Sequence, residues 1–328
     1  MFIEFTAILF FAFALEIFLQ GRWISVMHSL KIEQVTKLYG PSWHEKTKMG
    51  TPTMGGIVFI PVLLLAVPLI VMMDAEFSPL YAAQVVSYPV LAAAVGFVDD
   101  WLKYSRHSSD GLKSLQKLAL QVAVTLPWAL WVSQPPFFIF PGLEVSHISY
   151  VALVTFIGVG LQNAVNVTDG LDGLAAGCAL ISFMCALSFI DGGPTMMLVI
   201  AAACGICLGF LWHNTNPASV FMGDVGAHFL AGLLLSICLN SGVVIFVVPL
   251  GFFFGVEILS VTIQIIAIRC FHRKVFKMSP IHHHFEMSGW KETQIVTRFW
   301  VMHIIGICVL MSLLFYFALR NFRVMIIA

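Results

Sequence analysis

The chain is poor in charge. Of its 328 residues only 10% are Asp, Glu, Lys or Arg, against 59% hydrophobic, whereas soluble domains carry about 25% charged residues. With a mean hydropathy of +0.94, that shortage excludes an ordinary water-soluble globule. Net charge is missing as well, since 17 basic residues balance 17 acidic ones. The balance selects no partner by itself, and no nucleic-acid partner is expected. The seven cysteines lack the paired spacing of an extracellular disulfide framework. Cys204 and Cys207 form a CxxC inside an apolar run, where they read as small packing residues and not as a redox pair. The first segment, "FIEFTAILFFAFALEIFLQ", lacks both a basic n-region and a small-residue cleavage site, so a retained span is expected there. No soluble domain, low-complexity tract or clear internal repeat appears, and residues 1–328 read as one integral membrane domain.

What the chain does have is length in hydrocarbon. A helix needs about 20 apolar residues to cross a bilayer. Suitable runs occur near 2–20, 56–73, 80–98, 115–133, 150–168, 173–190, 195–212, 226–240, 243–268 and 299–319. The fold class is therefore an all-α polytopic membrane protein with about ten transmembrane helices, the ninth run long enough to tilt or kink. The joints after runs two, four, six and eight contain no Lys or Arg. Those after runs one, three and nine hold nearly all of them: Arg22, Lys31, Lys37, Lys46 and Lys48; Lys103, Arg106 and Lys113, with Lys117 just beyond; Arg269, Arg273, Lys274, Lys277, Lys291 and Arg298. By the positive-inside rule these joints are cytoplasmic and both termini face outward.

The polar motifs follow the same division. "HEKTKMGTPTMGG" (44–56), "DDWLK" (99–103), "NAVNVTDGLDG" (163–173), "HNTNPASVFMGDVG" (213–226) and "SPIHHHFE" (279–286) all fall on the cytoplasmic side. Asp99 and Asp100 stand at the expected end of run three, where the helix macrodipole makes an acid unfavourable by about 0.3–1 kcal/mol. Lys103 relieves part of this, and a solvated boundary marker is the plain alternative. Placement against stability points to function, because paired carboxylates hold a cation and one can act as a base. Asp169 could N-cap the sixth helix with Asp172 in its first turn, and Asp224 could cap the eighth. Capping leaves Asn163 and Asn166 unexplained, and helix N-termini also offer N–H groups to phosphates, so both readings stand together.

Five aspartates on one face need positive charge. Lys48, Lys103, Lys113 and Lys117 are candidates, and an oxygen-rich cluster suits Mg²⁺ bridging to substrate phosphates. His282, His283 and His284 are consecutive and cannot readily converge on one tetrahedral zinc. Near a phosphate site they act as hydrogen-bond donors to anionic oxygens, the alternative being incidental surface histidines. The basic joints 21–50 and 269–297 suit an anionic substrate, with anionic lipid headgroups as the simpler explanation. Glu257 lies inside run nine, either functional or a structural residue beside a helix break.

"GTPTMGG", "DDWLK", "GLKSLQK", "NAVNVTDGLDGLA", "NPASVFMGDVG" and "PIHHHFE" occur in that order across residues 50 to 286. In this the chain closely resembles the phospho-N-acetylmuramoyl-pentapeptide transferases of the polyprenyl-phosphate sugar-1-phosphate transferase superfamily. The resemblance implies a phosphotransferase of peptidoglycan synthesis in the bacterial cytoplasmic membrane. Its reaction would join UDP-MurNAc-pentapeptide to undecaprenyl phosphate, giving lipid I and UMP, with Mg²⁺ as cofactor, membrane lipids as surroundings and room for a homodimer. It makes Asp224 the leading Mg²⁺ ligand, with Asp169 and Asn166 in the metal–pyrophosphate region. Asp99 would deprotonate or orient the lipid phosphate, with Asp100 beside it. Lys48, Lys103 and Lys117 would meet phosphate charge, while Thr53 and Asn163 would contact substrate. Asp172, Asn214 and Phe221 would line the uridine side. His282, His283 and His284 would face the sugar-phosphate end, with His284 counted among the catalytic groups. The rivals are a relative using a UDP-N-acetylhexosamine and, more remotely, a cation-coupled transporter. Transporters place ionisable groups near the bilayer midplane, often in repeated halves, whereas here only Glu257 lies deep.

Overall fold

The computed structural model describes residues 1–30, 50–74, 78–106, 108–140, 143–190 and 193–327, with side chains to 318. Lys48, expected to meet phosphate, lies outside the described residues.

Twelve α-helices carry the described chain. They are α1 (Phe2–Leu30), α2 (Phe59–Met73), α3 (Pro79–Ser105), α4 (Ser114–Val132), α5 (His147–Thr168), α6 (Leu174–Phe189), α7 (Gly193–Asn214), α8 (Gly223–Asn240), α9 (Val247–Leu250), α10 (Phe252–Phe271), α11 (Ile281–Glu286) and α12 (Glu292–Ile327). Short 3₁₀ turns lead into α2 and α9, and one small antiparallel pair, Phe138–Phe140 with Leu143–Glu144, lies between α4 and α5. Among the described residues nine helices are long and apolar enough to cross a bilayer. The tenth expected span, α6, has only 16 residues and a rise of about 24 Å, short of the roughly 30 Å hydrocarbon core. The protein is thus an all-α multi-pass membrane protein.

Local chemistry sets several boundaries. Ser78 caps α3 by accepting the Tyr81 N–H at 3.1 Å, with Pro79 at the first position. Ser146 caps α5 through the Ser149 N–H. The ninth apolar run is not one helix. Pro249 cannot donate a backbone hydrogen bond and its ring crowds the preceding turn, and the chain breaks at Gly251 between α9 and α10.

Membrane interiors offer little hydrophobic drive between helices, so small residues let backbones approach. The packing of α3 on α8 shows this. A Cβ on Gly96 would stand 2.3 Å from the Asp224 carbonyl oxygen, so only glycine admits the contact that brings Asp224 beside Asp99 and Asp100. The buried core runs through α7 and α8, including Phe210, Phe229 and Leu235. Cys204 and Cys207 are buried, free cysteines in α7, as packing residues would be.

Three local expectations need correction. Asp99 and Asp100 lie within α3, which continues to Ser105, and not at its last turn. Asp169 does not cap α6: it is the C-cap of α5, while Gly173 occupies the N-cap of α6 and Asp172 precedes it. Asp224 sits in the first turn of α8 behind an N-cap at Met222. Gly173 (φ 81°) takes the N-cap of α6, and Gly223 (φ 74°) stands between the Met222 cap and Asp224; both adopt the left-handed backbone that the turns require and that an aspartate takes less readily.

Candidate active site

Asp99, Asp100 and Asp224 are all buried, and one carboxylate oxygen from each lies within 4.8 Å of the others. Among the described residues, two ammonium groups reach into them. Lys103 Nζ stands 2.6 Å from Asp99 Oδ2, 2.9 Å from Asp224 Oδ2 and 3.4 Å from Asp100 Oδ1. Lys117, in the first turn of α4, places Nζ 2.7 Å from Asp224 Oδ2 and 3.9 Å from Asp99 Oδ2. Asn166 on α5 joins the two signs: its Nδ2 donates to Asp224 Oδ1 at 2.8 Å, and its Oδ1 accepts from Lys117 Nζ at 3.2 Å. Backbone donors fix the remaining oxygens, Leu112 N–H on Asp99 Oδ1 at 2.7 Å and Val225 N–H on Asp100 Oδ2 at 3.1 Å.

Among the described residues, three carboxylates against two ammonium groups leave one negative charge in excess when all are ionised. Close like charges resist joint ionisation unless a cation compensates them. A convergent set of hard oxygen donors is what Mg²⁺ accepts, so the residues present fit a divalent ion at this point.

Around the cluster, main-chain pairing links motifs far apart in sequence. Gly55 and Gly56 N–H groups donate to the Phe221 and Met222 carbonyls at 2.9 Å, and Phe221 N–H donates to the Pro52 carbonyl at 2.8 Å. Thr53 sits half-buried in this paired segment. Asn214 Oδ1 accepts the Gly173 N–H at 3.0 Å while its Nδ2 donates to the Val220 carbonyl at 2.8 Å. Asp172 Oδ2 accepts from Asn216 Nδ2 at 3.0 Å and Ala218 N–H at 3.1 Å. Asn214 and Asp172 therefore hold the 169–173 loop against the 214–222 loop.

The three histidines occupy α11, where successive side chains point about 100° apart. His282 is buried with Nδ1 3.2 Å from Glu257 Oε1, and Gly170 lies against its ring. His283 Nδ1 pairs with Glu286 Oε2 at 2.6 Å. His284 Nδ1 accepts the Lys277 N–H at 3.1 Å.

Residues 82–242, which hold the carboxylate cluster, match glycosyl transferase family 4. Similarity to curated proteins extends further. A phospho-N-acetylmuramoyl-pentapeptide-transferase of Anoxybacillus flavithermus is 37% identical over 89% of this chain and 92% of its own length. Namesakes from Salinispora arenicola (35% identical, 93% and 95% covered) and Staphylococcus carnosus (34%, 90% and 94%) align equally broadly. The chain belongs to the phospho-N-acetylmuramoyl-pentapeptide-transferase family. It is accordingly a phosphotransferase, built into a membrane.

In this transferase the structure gathers Asp99, Asp100, Asp224, Lys103, Lys117 and Asn166 at one point. Asp169 is not part of the three-carboxylate group. Lys113 is exposed at the N-cap of α4, where its N–H donates to Gln116, so among the described residues the charge balance rests on Lys103 and Lys117. Asn163 faces elsewhere, donating to Gln121 Oε1 at 2.9 Å and the Val159 carbonyl at 2.8 Å. Sequence reasoning passed over Gln121, although it follows Lys117 by four residues and so shares its helix face. It also missed Glu292, whose Oε1 accepts the Asp172 N–H at 2.8 Å. Nothing local marks that long-range contact.

Proposed function

We propose that this transferase moves phospho-MurNAc-pentapeptide from UDP-MurNAc-pentapeptide to undecaprenyl phosphate, releasing UMP and forming lipid I, with Mg²⁺ as cofactor. The observation that carries the proposal is the convergence of three buried carboxylates and two lysines from three helices, α3, α4 and α8. Such transfer needs in-line positioning and charge neutralisation more than covalent groups from the protein. Asp99 and Asp100 orient the lipid phosphate and can take its proton. Lys103 and Lys117 meet the charge that builds on the phosphoryl oxygens, and Asn166 holds Asp224 in register. Asp99, Asp100 and Asp224 would hold the ion, which when bound neutralises pyrophosphate charge. Asp172, Asn214 and Phe221 shape the nucleotide side, and His282 to His284 serve the sugar-phosphate side. Because one substrate carries a polyprenyl tail and the other is water-soluble, the site belongs at the boundary of membrane and cytosol, on the face richest in Lys and Arg.

UMP release from purified protein offered UDP-MurNAc-pentapeptide or UDP-GlcNAc, with undecaprenyl phosphate and with or without chelator, tests the proposal. Release from the muramoyl nucleotide alone, abolished by chelator, is expected. Turnover of UDP-GlcNAc alone would show the wrong substrate.

A further inference from the structure

One buried polar cluster lies apart from the carboxylates. His303 in α12 and Ser182 in α6 are both fully buried and meet at the break between α9 and α10. A break at membrane depth strands backbone groups that neither water nor lipid can satisfy. Here side chains satisfy them. The Phe253 N–H at the start of α10 donates to His303 Nδ1 at 3.2 Å, and the Leu250 carbonyl at the end of α9 accepts from Ser182 Oγ at 2.6 Å. Because Nδ1 faces an N–H donor it is the bare nitrogen, so Nε2 carries the proton. That nitrogen lies 3.0 Å from Ser182 Oγ and 3.1 Å from the Cys178 carbonyl. The Phe253 N–H and the Leu250 carbonyl are both satisfied in this way, and one imidazole ties three helices together.

What those helices carry gives the cluster its meaning. α6 begins directly after the 169–173 loop, and Ser182 lies eight residues on, about 12 Å along the axis. Four residues past Phe253, about 6 Å, α10 presents Glu257 to His282. Further along, Gln264 Oε1 accepts the Val275 and Phe276 N–H groups and its Nε2 donates to the Phe276 carbonyl, anchoring the segment that leads to the histidines. α12 itself opens with Glu292, bound to the Asp172 N–H.

We infer that His303 and Ser182 are positioning residues that fix the direction of α10 relative to α6, and so hold the His282–His284 helix in register with the 169–173 loop on the nucleotide side of the site. This rests on the proposed transfer reaction. The cluster touches no reacting group; it acts through Glu257 and Gln264. Its loss should weaken nucleotide binding more than it slows chemistry at the carboxylates.

The test uses the full chain in detergent and the UMP-release assay. Replacing His303→Phe is expected to raise KM for UDP-MurNAc-pentapeptide about tenfold, with kcat changed less than about threefold. His303→Asn keeps an acceptor near the Nδ1 position and should recover most of the loss. Ser182→Ala removes the donor to Leu250 and one of the two acceptors near His303 Nε2, but leaves Nδ1 on the Phe253 N–H, and should give a smaller KM rise of the same sign. It also covers the case in which His303→Phe fails to accumulate. Combined with Glu257→Gln, His303→Phe should be non-additive, since both act through one contact. An unchanged KM in Ser182→Ala, a fall in kcat at constant KM, an unrescued His303→Asn or strict additivity would each overturn the inference. Wild-type turnover of the muramoyl nucleotide is a separate arm. Its absence would remove the functional reading, whereas the positioning role stands or falls on the ratio of variant to wild type.

Discussion

Lys117 is the side chain whose removal tells most about the site. Its Nζ lies 2.7 Å from Asp224 Oδ2, 3.9 Å from Asp99 Oδ2 and 3.2 Å from Asn166 Oδ1. In Lys117→Met the stem volume is nearly kept while the charge goes, and three carboxylates face one ammonium group. At an effective dielectric of about 20 the 2.7 Å contact alone amounts to about 6 kcal/mol of Coulomb attraction. Desolvation offsets much of that, and breaking a buried pair by removing one partner costs about 3–5 kcal/mol. A divalent ion bound at the carboxylates restores part of the balance. The variant should therefore be strongly destabilised without metal and largely recovered by Mg²⁺, with a larger metal-induced thermal shift than wild type. Transfer should nonetheless fall by about 10²–10³ in kcat, the usual loss of a charge-stabilising donor. Thermal unfolding in a Mg²⁺ series, read beside UMP release, measures both. Equal metal-induced shifts in variant and wild type, together with near-normal kcat, would refute the charge-balance reasoning.

Three further outcomes follow from the same geometry. Asp224→Asn, which loses the carboxylate that both lysines and Asn166 engage, should abolish UMP release, and added Mg²⁺ should not restore it. Gly96→Val would drive its Cβ into the Asp224 carbonyl; overpacking of about 1–3 kcal/mol or more should lower the melting temperature and activity together. Gly255→Ala in α10, where nothing lies within 4 Å of the added Cβ, should change neither.

The fold class was legible because hydrocarbon thickness imposes a length on apolar runs, and the sharp contrast in Lys and Arg between alternating joints orders the motifs by face. The meeting of Asp99, Asp100, Asp224 and Lys103 was legible for the same reason. Helix ends were not. Asp169 and Asp172 have the composition of caps, yet Gly173 took the position because the turn needs φ above zero. The role of Glu257 stayed open in sequence, since its partner His282 lies 25 residues away and meets it only after the chain turns back. The polar cluster at Ser182 and His303 gave no signal at all: each residue is an isolated polar letter among apolar neighbours, and its purpose exists only once Pro249 and Gly251 have broken the helix between α9 and α10.

The central claim is that carboxylates from α3 and α8 form one site for one divalent ion. Substituting Mn²⁺ and counting bound ion by electron paramagnetic resonance reads this without relying on turnover. The account predicts one tightly bound Mn²⁺ per chain, lost or greatly weakened in each of Asp99→Asn, Asp100→Asn and Asp224→Asn. Undiminished Mn²⁺ binding in all three would contradict it.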